Sequence, residues 1–297
     1  MEYLINGIRG FFMALADSVP GVSGGTIAFI LGFYDKFIGS LNGLVYGTKQ
    51  EKKEAVFFLI KIGIGWAIGM ALAALALGNL FQTHIYEVSS LFIGFVILAI
   101  PLIIKAEKNS IKGHYINIIF TIVGIAIVAL ITYFNPIAGE ENAVNIAELN
   151  IGLGFYIFVA AMVAISAMVL PGISGSTLLL IFGLYIPVMS AIKDILHFNF
   201  SSLPAILIFG LGLVAGVILV IKLIKIALEK YRSQTIYLII GLMIGSLYAI
   251  VMGPTTLSVP KEPLSFGTFS IIFFIIGGAT ILGLEKAKDV LEKKQSN

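Results

Sequence analysis

One short, glycine-rich motif occurs twice in this chain, and both copies lie inside strongly apolar sequence. Residues 20–26 have the sequence PGVSGGT, and residues 171–177 have the sequence PGISGST. Proline and glycine interrupt helices, and a bilayer tolerates interrupted backbone only where protein or a wet cavity satisfies its N–H and C=O groups. The chain must therefore enclose both breaks, and such enclosed breaks are where membrane transporters hold their substrates.

The composition indicates an integral membrane protein. Hydrophobic residues make up 59% of the chain, charged residues only 12%, and the mean hydropathy is +1.04. Soluble domains carry about 25% charged residues. Cysteine is absent, which excludes disulfides, thiolate metal sites and a cysteine nucleophile. We expect no cofactor, no metal and no nucleic-acid partner, and we expect the bilayer itself to surround the protein.

Each motif copy is followed by three apolar spans that approach the length of a membrane-crossing helix. The segments that flank each motif are typical of a helical hairpin with the motif at its tip. The first hairpin arm has about 17 residues, or roughly 25 Å as a helix, which favours a re-entrant hairpin over a full crossing. The spans lie at about 55–80, 89–104, 115–134, 203–221, 235–252 and 266–284, and the hairpin arms at 3–19, 26–46, 152–170 and 177–197.

Basic residues are distributed unevenly among the connecting segments. Most of the 19 Lys and Arg residues lie in segments 49–54, 105–114 and 222–232 and in the C-terminal tail. The positive-inside rule places these segments in the cytoplasm. The long connection at 135–150 carries acidic residues and no basic one, so it is expected outside. With three spans after each hairpin, the second half must enter the membrane from the opposite side to the first.

The predicted fold is an all-α polytopic membrane protein with two inverted-topology repeats. Each repeat is a re-entrant helical hairpin plus three transmembrane helices. The first repeat covers residues 1–134, and residues 135–150 form an external linker. The second repeat covers residues 151–286, and residues 287–297 form a cytoplasmic tail.

The hydroxyl residues of the motif indicate what it could bind. Ser23, Thr26, Ser174 and Thr177 stand where the following helices, at 26–34 and 177–185, would begin. A helix N-terminus offers free N–H groups and a positive dipole end, and both favour anions. Glycines at a break can also serve only close helix packing. The duplication in opposed halves favours a substrate site instead.

Two ionisable residues precede the first motif. Arg9 could pair with a phosphate through its planar guanidinium, or it could reach the cytoplasmic headgroups. Asp17 could cap the turn, pair with Arg9, or carry a coupling proton. Both are candidates, Arg9 for substrate binding and Asp17 for coupling.

Other residues in the apolar segments are interpreted as structural. The pairs Gly65/Gly69 and Gly212/Gly216 occupy matching places in the first span of each half and are typical of close helix crossings. Lys61, Lys222 and Lys225 lie near cytoplasmic ends and are expected to reach the headgroups. Lys36 and Trp66 receive no role.

The sequence Gly-x-Ser-Gly in both motifs also fits the nucleophile of an intramembrane serine hydrolase. A serine nucleophile needs a base within hydrogen-bond reach. The three histidines, His84, His114 and His197, all fall in predicted connections. The enzyme hypothesis therefore lacks a base, and we expect a transporter rather than an enzyme.

The paired motifs, together with the repeated Gly32 and Tyr34 (Gly183 and Tyr185 in the second half), resemble those of the PopT-type polyprenyl-phosphate transporter family. This family was formerly catalogued as a membrane domain of unknown function. The resemblance covers nearly the whole chain. It implies a multi-pass protein of the bacterial cytoplasmic (inner) membrane, which would place the C-terminus in the cytoplasm.

The resemblance implies that undecaprenyl phosphate is moved from the outer to the inner leaflet, which recycles the lipid carrier of peptidoglycan and other envelope polymers. We expect alternating access, with the phosphate held at opposed helix N-termini. A small-anion channel or exchanger is the main alternative, and a serine hydrolase or a structural subunit are weaker ones. The residues carried over from the family motif are Ser23, Gly24, Gly25, Thr26, Ser174, Gly175, Ser176 and Thr177.

Overall fold

The computed structural model describes residues 2–17, 23–133, 146, 149–196, 198–257 and 260–295. Within these ranges all regular secondary structure is helical, which confirms the predicted all-α class. Five of the described helical segments are long and apolar enough to cross a membrane, and a shorter apolar stretch lies at Ile271–Gly283. The five are Ile85–Ala106, Tyr115–Tyr133, Ile151–Val169, Leu203–Lys230 and Arg232–Thr255.

The first half contains seven α-helices. Two of them are short. One begins within the first motif, and the other lies in the connection before the third span. The helices are α1 (Glu2–Asp17), α2 (Gly24–Ile30), α3 (Tyr34–Tyr46), α4 (Lys49–Thr83), α5 (Ile85–Ala106), α6 (Lys108–Ile111) and α7 (Ile118–Tyr133).

The second half repeats this order without a counterpart of α6. Short 3-10 turns at Tyr115–Asn117 and Gly253–Thr256 extend α7 and α12. The helices are α8 (Ile151–Val169), α9 (Gly175–Ile181), α10 (Tyr185–Leu196), α11 (Leu203–Lys230), α12 (Arg232–Met252) and α13 (Ile271–Gln295).

The second arm of each hairpin, predicted at 26–46 and 177–197, consists of two helices, and the first of the two corresponds to the helices predicted at 26–34 and 177–185. Gly32 and Gly183 separate them, with φ of 68° and 63°, in the left-handed region that glycine adopts without strain. The N–H of Phe33 donates to the Ala28 carbonyl at 3.0 Å, which closes α2 in a Schellman-type turn. The two glycines are repeated in the sequence, and the structure supplies the backbone reason for both.

The last helix begins later and ends later than the sequence indicated. The span expected from residue 266 starts at Ile271 because Ser265 and Thr268 close a turn first. The Ser265 N–H donates to Thr268 Oγ1 at 2.9 Å, and the Thr268 N–H donates to the Ser265 carbonyl at 3.1 Å. The helix then continues through the predicted tail boundary to Gln295.

The glycine pairs lie at close helix crossings, as predicted. A Cβ at Gly65 would fall on the Gly7 carbonyl of α1, and a Cβ at Gly69 would lie 2.7 Å from the Phe11 carbonyl oxygen. In the second half, Gly212 of α11 lies against the Phe158 carbonyl of α8 in the same way. Small residues let helix backbones approach this closely in a membrane protein. The first hairpin arm of each half is therefore held against the first span of its own half.

The second and third spans pair across the halves instead. Gly277 of α13 lies against the Leu91 carbonyl of α5, and Gly94 of α5 lies against the Phe274 carbonyl of α13. The same exchange joins α7 and α12, where Gly241 lies against the Thr121 carbonyl. Each half thus contributes two helices to the packing of the other, and neither half is complete alone.

Helix α12 is the most buried of the candidate spans. It packs against Gly172 of the second motif and against α2, which begins within the first motif. Ile236, Ile239 and Met243 of α12 share one hydrophobic core with Ile27 and Ala28 of α2. This core holds the start of α2 at the centre of the molecule.

Candidate functional site

The first motif is hydrogen-bonded to the second motif and to the residue that precedes it. Ser23 caps α2, accepting from the Thr26 N–H at 3.4 Å, and its hydroxyl donates to the Leu170 carbonyl at 3.1 Å. Thr26 Oγ1 accepts from the Gly172 N–H at 2.9 Å. The side chains of Ser23 and Thr26 are 1% and 2% exposed. Two buried hydroxyls of one motif therefore satisfy backbone groups of the other motif and of the residue before it, and we call this contact the motif junction.

Gly25 and Tyr34 complete the motif junction on the side of the first half. A Cβ at Gly25 would lie 2.7 Å from the Val169 carbonyl oxygen, so only glycine allows this approach. The Tyr34 hydroxyl donates to the same carbonyl at 3.2 Å. The repeated tyrosine thus binds the end of α8, which leads into the second motif.

The second motif lies against helices of its own half. Gly172 has a φ of 90° and packs against the Leu242 backbone of α12. Gly175 begins α9, and a Cβ there would lie 3.0 Å from the Ala164 carbonyl oxygen of α8. The hydroxyl residues Ser174 and Thr177 are buried, at 5% and 8% exposure.

Some candidate positions lie outside the described residues. Pro20, Gly21 and Val22 of the first motif belong to the undescribed segment 18–22, and the side chain of Ser176 is likewise not described. Most of the predicted linker 135–150 also falls outside.

Asp17 binds the start of α2, in agreement with one of its three predicted roles. Its Oδ1 accepts from the Gly24 N–H at 2.6 Å, so the carboxylate satisfies a free donor of the helix N-terminus. Its Oδ2 accepts from Trp66 Nε1 of α4 at 2.9 Å. The sequence assigned Trp66 no role. The structure corrects this, because the Trp66 indole N–H donates to the Asp17 carboxylate, which in turn accepts from the N–H at the start of α2.

Replacing Trp66 by phenylalanine is expected to destabilise the protein by about 1–3 kcal/mol, because a half-buried carboxylate oxygen loses its donor while the aromatic bulk stays. The thermal unfolding midpoint of the purified protein measures the effect. Ile64→Leu, at an exposed position of the same helix, is the matched control. Equal midpoints for the two variants would show that the indole hydrogen bond contributes nothing.

Arg9 is partly buried and contacts two other residues of the first hairpin. Its Nη1 donates to the Asn6 Oδ1 at 3.0 Å, and Asn6 is fully buried. The guanidinium also lies 4.8 Å from the centre of the Phe33 ring, a cation–π distance. This position brings Arg9 next to the turn between α2 and α3, and substrate binding by Arg9 stays a prediction.

The sequence also missed an ion-pair cluster at the turn between α2 and α3. Arg232, the first residue of α12, pairs with Asp35 at 2.9 Å and with Glu107 through two nitrogens, at 2.5 and 3.0 Å. A forked guanidinium–carboxylate pair of this kind is the geometrically specific type. It ties the hairpin of the first half to α5 and α12. No local pattern reveals it, because Arg232 lies more than a hundred residues along the chain from both carboxylates.

A serine nucleophile at Ser23 would need a base beside its hydroxyl. The partners found for the Ser23 hydroxyl are the Leu170 carbonyl and Thr26, and neither can act as a base. His84 pairs with Glu87 at the start of α5. Among the described residues, no group of three or more potential ligands could hold a metal ion.

The fold and the site together define a class: a multi-pass helical membrane protein in which two broken-helix motifs meet in the buried centre. The chain belongs to the VCA0040-like family, described as undecaprenyl phosphate translocase-like, which matches residues 13–266. The similar proteins are transporters by name, which agrees with the expected class.

Two relatives carry the name polyprenyl-phosphate transporter. The protein from Staphylococcus aureus is 38% identical over 278 residues, which cover 92% of this chain and 93% of the relative. The protein from Vibrio cholerae is 30% identical over 320 aligned positions, which cover 96% of this chain and 97% of the relative. No solved structure matches the chain.

Proposed function

We propose that this protein transports a polyprenyl phosphate, specifically undecaprenyl phosphate, from the outer to the inner leaflet of the bacterial cytoplasmic membrane. This returns the lipid carrier for further rounds of peptidoglycan and envelope-polymer synthesis. The observation that carries the proposal is the motif junction, where Thr26 Oγ1 accepts from the Gly172 N–H. The names of the relatives and the family supply the substrate class.

The phosphate binds at the motif junction, through the hydroxyls and N–H groups of residues 23–26 and 174–177. Helix N-termini and hydroxyl donors favour a phosphate over neutral groups. In the arrangement described here the hydroxyls of Ser23 and Thr26 bind protein carbonyl and N–H groups instead. Substrate therefore exchanges these contacts for phosphate oxygens, while the prenyl chain stays in the lipid beside the helices.

The two halves form inverted repeats, and transport proceeds by alternating access. Support comes from the matching helix order and from equivalent contacts, such as Gly65 on Gly7 and Gly212 on Phe158. The distribution of basic residues puts the first hairpin on the cytoplasmic side and the second outside. Motion of one half against the other opens one central site to either leaflet.

Coupling of transport to a proton at Asp17 stays a prediction. The observed contacts give Asp17 a structural role as well, because its carboxylate accepts hydrogen bonds from the Gly24 N–H and from the Trp66 indole N–H. Any change in its charge would therefore act directly on the start of α2.

Alanine substitution of Ser23, Thr26, Ser174 or Thr177 is expected to reduce undecaprenyl phosphate transport by about tenfold or more, since a hydrogen bond to a charged group is worth roughly 1.5–3 kcal/mol. The measurement is leaflet-specific detection of the phosphate headgroup in vesicles that contain the purified protein. Thr280→Ala is the control, because that hydroxyl binds only the carbonyl of Ile276 in its own helix.

Full transport in all four alanine variants would contradict the phosphate site. Chloride or phosphate flux into vesicles that lack the lipid carrier would instead support the channel or exchanger alternative. Release of a cleaved product that depends on Ser23 or Ser174 would support the hydrolase.

A further inference from the structure

A cavity of about 650 Å³ lies between α3, α4 and α11, away from the motif residues. Its size is within the range of about 300–1,000 Å³ that small-molecule sites occupy. The lining includes Gly47 and Glu51 at the connection between α3 and α4, so the cavity opens at the face that the charge distribution assigns to the cytoplasm.

Three lysines from three different helices line this cavity. They are Lys36 of α3, Lys61 of α4 and Lys225 of α11. Lys225 Nζ donates to Asn42 Oδ1 at 3.2 Å, and Asn42 is 9% exposed, so a buried amide fixes this ammonium group in the wall. The sequence assigned Lys36 no role and assigned the other two to headgroup contacts at separate helix ends. The tertiary structure brings all three together.

The acidic residues of the cavity are already bound to neighbours. Glu51 accepts from the N–H of Thr48 at 2.7 Å and from its hydroxyl at 2.8 Å in a capping box. These donors lower the pKa of the Glu51 carboxyl. Glu54 accepts from Gln50 Nε2 at 2.7 Å. Glu229, which does not line the cavity, forms an ion pair of 3.8 Å with Lys225. The lining of the cavity thus carries three lysines and two carboxylates, those of Glu51 and Glu54.

Aromatic side chains form the apolar part of the cavity. Lys36 Nζ lies 4.8 Å from the centre of the Phe58 ring, and Phe57 is 53% exposed beside it. Lys61 Nζ lies 4.0 Å from the centre of the Tyr3 ring of α1. Ammonium groups set against aromatic rings, beside an exposed apolar wall, suit a ligand with an anionic head and an apolar chain.

We propose that this cavity is a second anion site, which binds a phosphate monoester through Lys36, Lys61 and Lys225 and accepts the first carbons of an attached apolar chain against Phe57 and Phe58. The ligand could be the head of a membrane lipid or free phosphate, which share this chemistry. Helix α3 connects the two sites, because Tyr34 binds at the motif junction and Lys36 lines the cavity. Anion binding by the cavity does not depend on the proposed function. The idea that the cavity receives the transported headgroup does depend on it.

The test measures binding rather than transport. Protein in nanodiscs of zwitterionic lipid is titrated with geranyl monophosphate and, separately, with inorganic phosphate, in a Ser23→Ala/Thr26→Ala background that disables the motif junction. Lys36→Gln/Lys61→Gln/Lys225→Gln is expected to weaken binding by at least about tenfold, because each lysine donates to a charged ligand. The control is Lys105→Gln/Lys108→Gln/Lys112→Gln, which removes three lysines of another connection on the same predicted face.

Both probe arms have defined outcomes. Lysine-dependent binding that is tighter for geranyl monophosphate identifies a lipid headgroup site, and equal binding of both probes identifies a site for free phosphate. Equal affinity of the cavity variant and the control would overturn the proposal, as would the absence of binding of both probes. The single variant Lys61→Gln repeats the comparison if the triple variant does not fold.

Discussion

Replacing Gly65 by leucine is expected to destabilise the folded protein strongly. A Cβ at this position would fall on the backbone carbonyl of Gly7, so α1 and α4 would have to separate along their crossing. Overpacking typically costs about 1–3 kcal/mol, and the cost is at the upper end here because backbone cannot rotate away as a side chain can. The measurement is the fraction of protein that stays monodisperse on size exclusion after heating in detergent.

Gly63→Leu is the matched control, since it lies in the same helix and a Cβ there meets nothing within 4 Å. The second half offers the same comparison. Gly212 lies against the Phe158 carbonyl, whereas a Cβ at Gly210 meets nothing within 4 Å. Loss of stability in Gly65→Leu and Gly212→Leu, with none in Gly63→Leu and Gly210→Leu, is the expected pattern. Equal stability across the four variants would contradict the role of these crossings.

Replacing Gly25 by alanine is expected to lower transport by at least about tenfold while the protein still inserts into the membrane. A Cβ at this position would lie 2.7 Å from the Val169 carbonyl oxygen and 3.3 Å from Leu170 C and Pro171 N. The first motif would have to withdraw from the second, and the hydrogen bond from Gly172 to Thr26 would lengthen with it. Headgroup translocation in vesicles measures the loss.

The control for this substitution is Gly63→Ala, in open space on α4. Alanine is about 1 kcal/mol better than glycine inside a helix, so this variant should keep full transport and gain stability. The two substitutions add the same methyl group, but Gly25→Ala is expected to lower transport, whereas Gly63→Ala is expected to leave transport unchanged and to raise stability. Undiminished transport by Gly25→Ala would show that close contact of the motifs is not needed for function.

The motif junction explains why hydroxyl residues and glycines occur together in this motif. Ser23 and Thr26 provide polar atoms that can satisfy backbone groups of the other motif and of the residue before it, and Gly25 allows the approach that brings them within reach. In a buried site an unpaired N–H or C=O is costly, so each motif is satisfied only when the other is in place.

Much of the fold follows from local sequence. Runs of apolar residues predicted the helices, and the glycine pairs at Gly65/Gly69 and Gly212/Gly216 predicted close crossings that the structure contains. The helices predicted at 26–34 and 177–185 end close to where the structure ends them, but the turns at Gly32 and Gly183 were not assigned. A glycine in an apolar stretch is compatible with a continuous helix, and only the backbone angle distinguishes the two cases.

The sequence by itself determined the membrane class, the all-helical architecture, the order of the helices and the motif residues. These depend on composition and on periodicity within short segments, where each residue acts on its near neighbours. The tertiary structure alone decided which of these residues meet. It joined Thr26 to Gly172, Trp66 to Asp17, and Lys36, Lys61 and Lys225 around one cavity. Contacts between residues so far apart in the chain arise from the packing of whole helices, which no local pattern specifies.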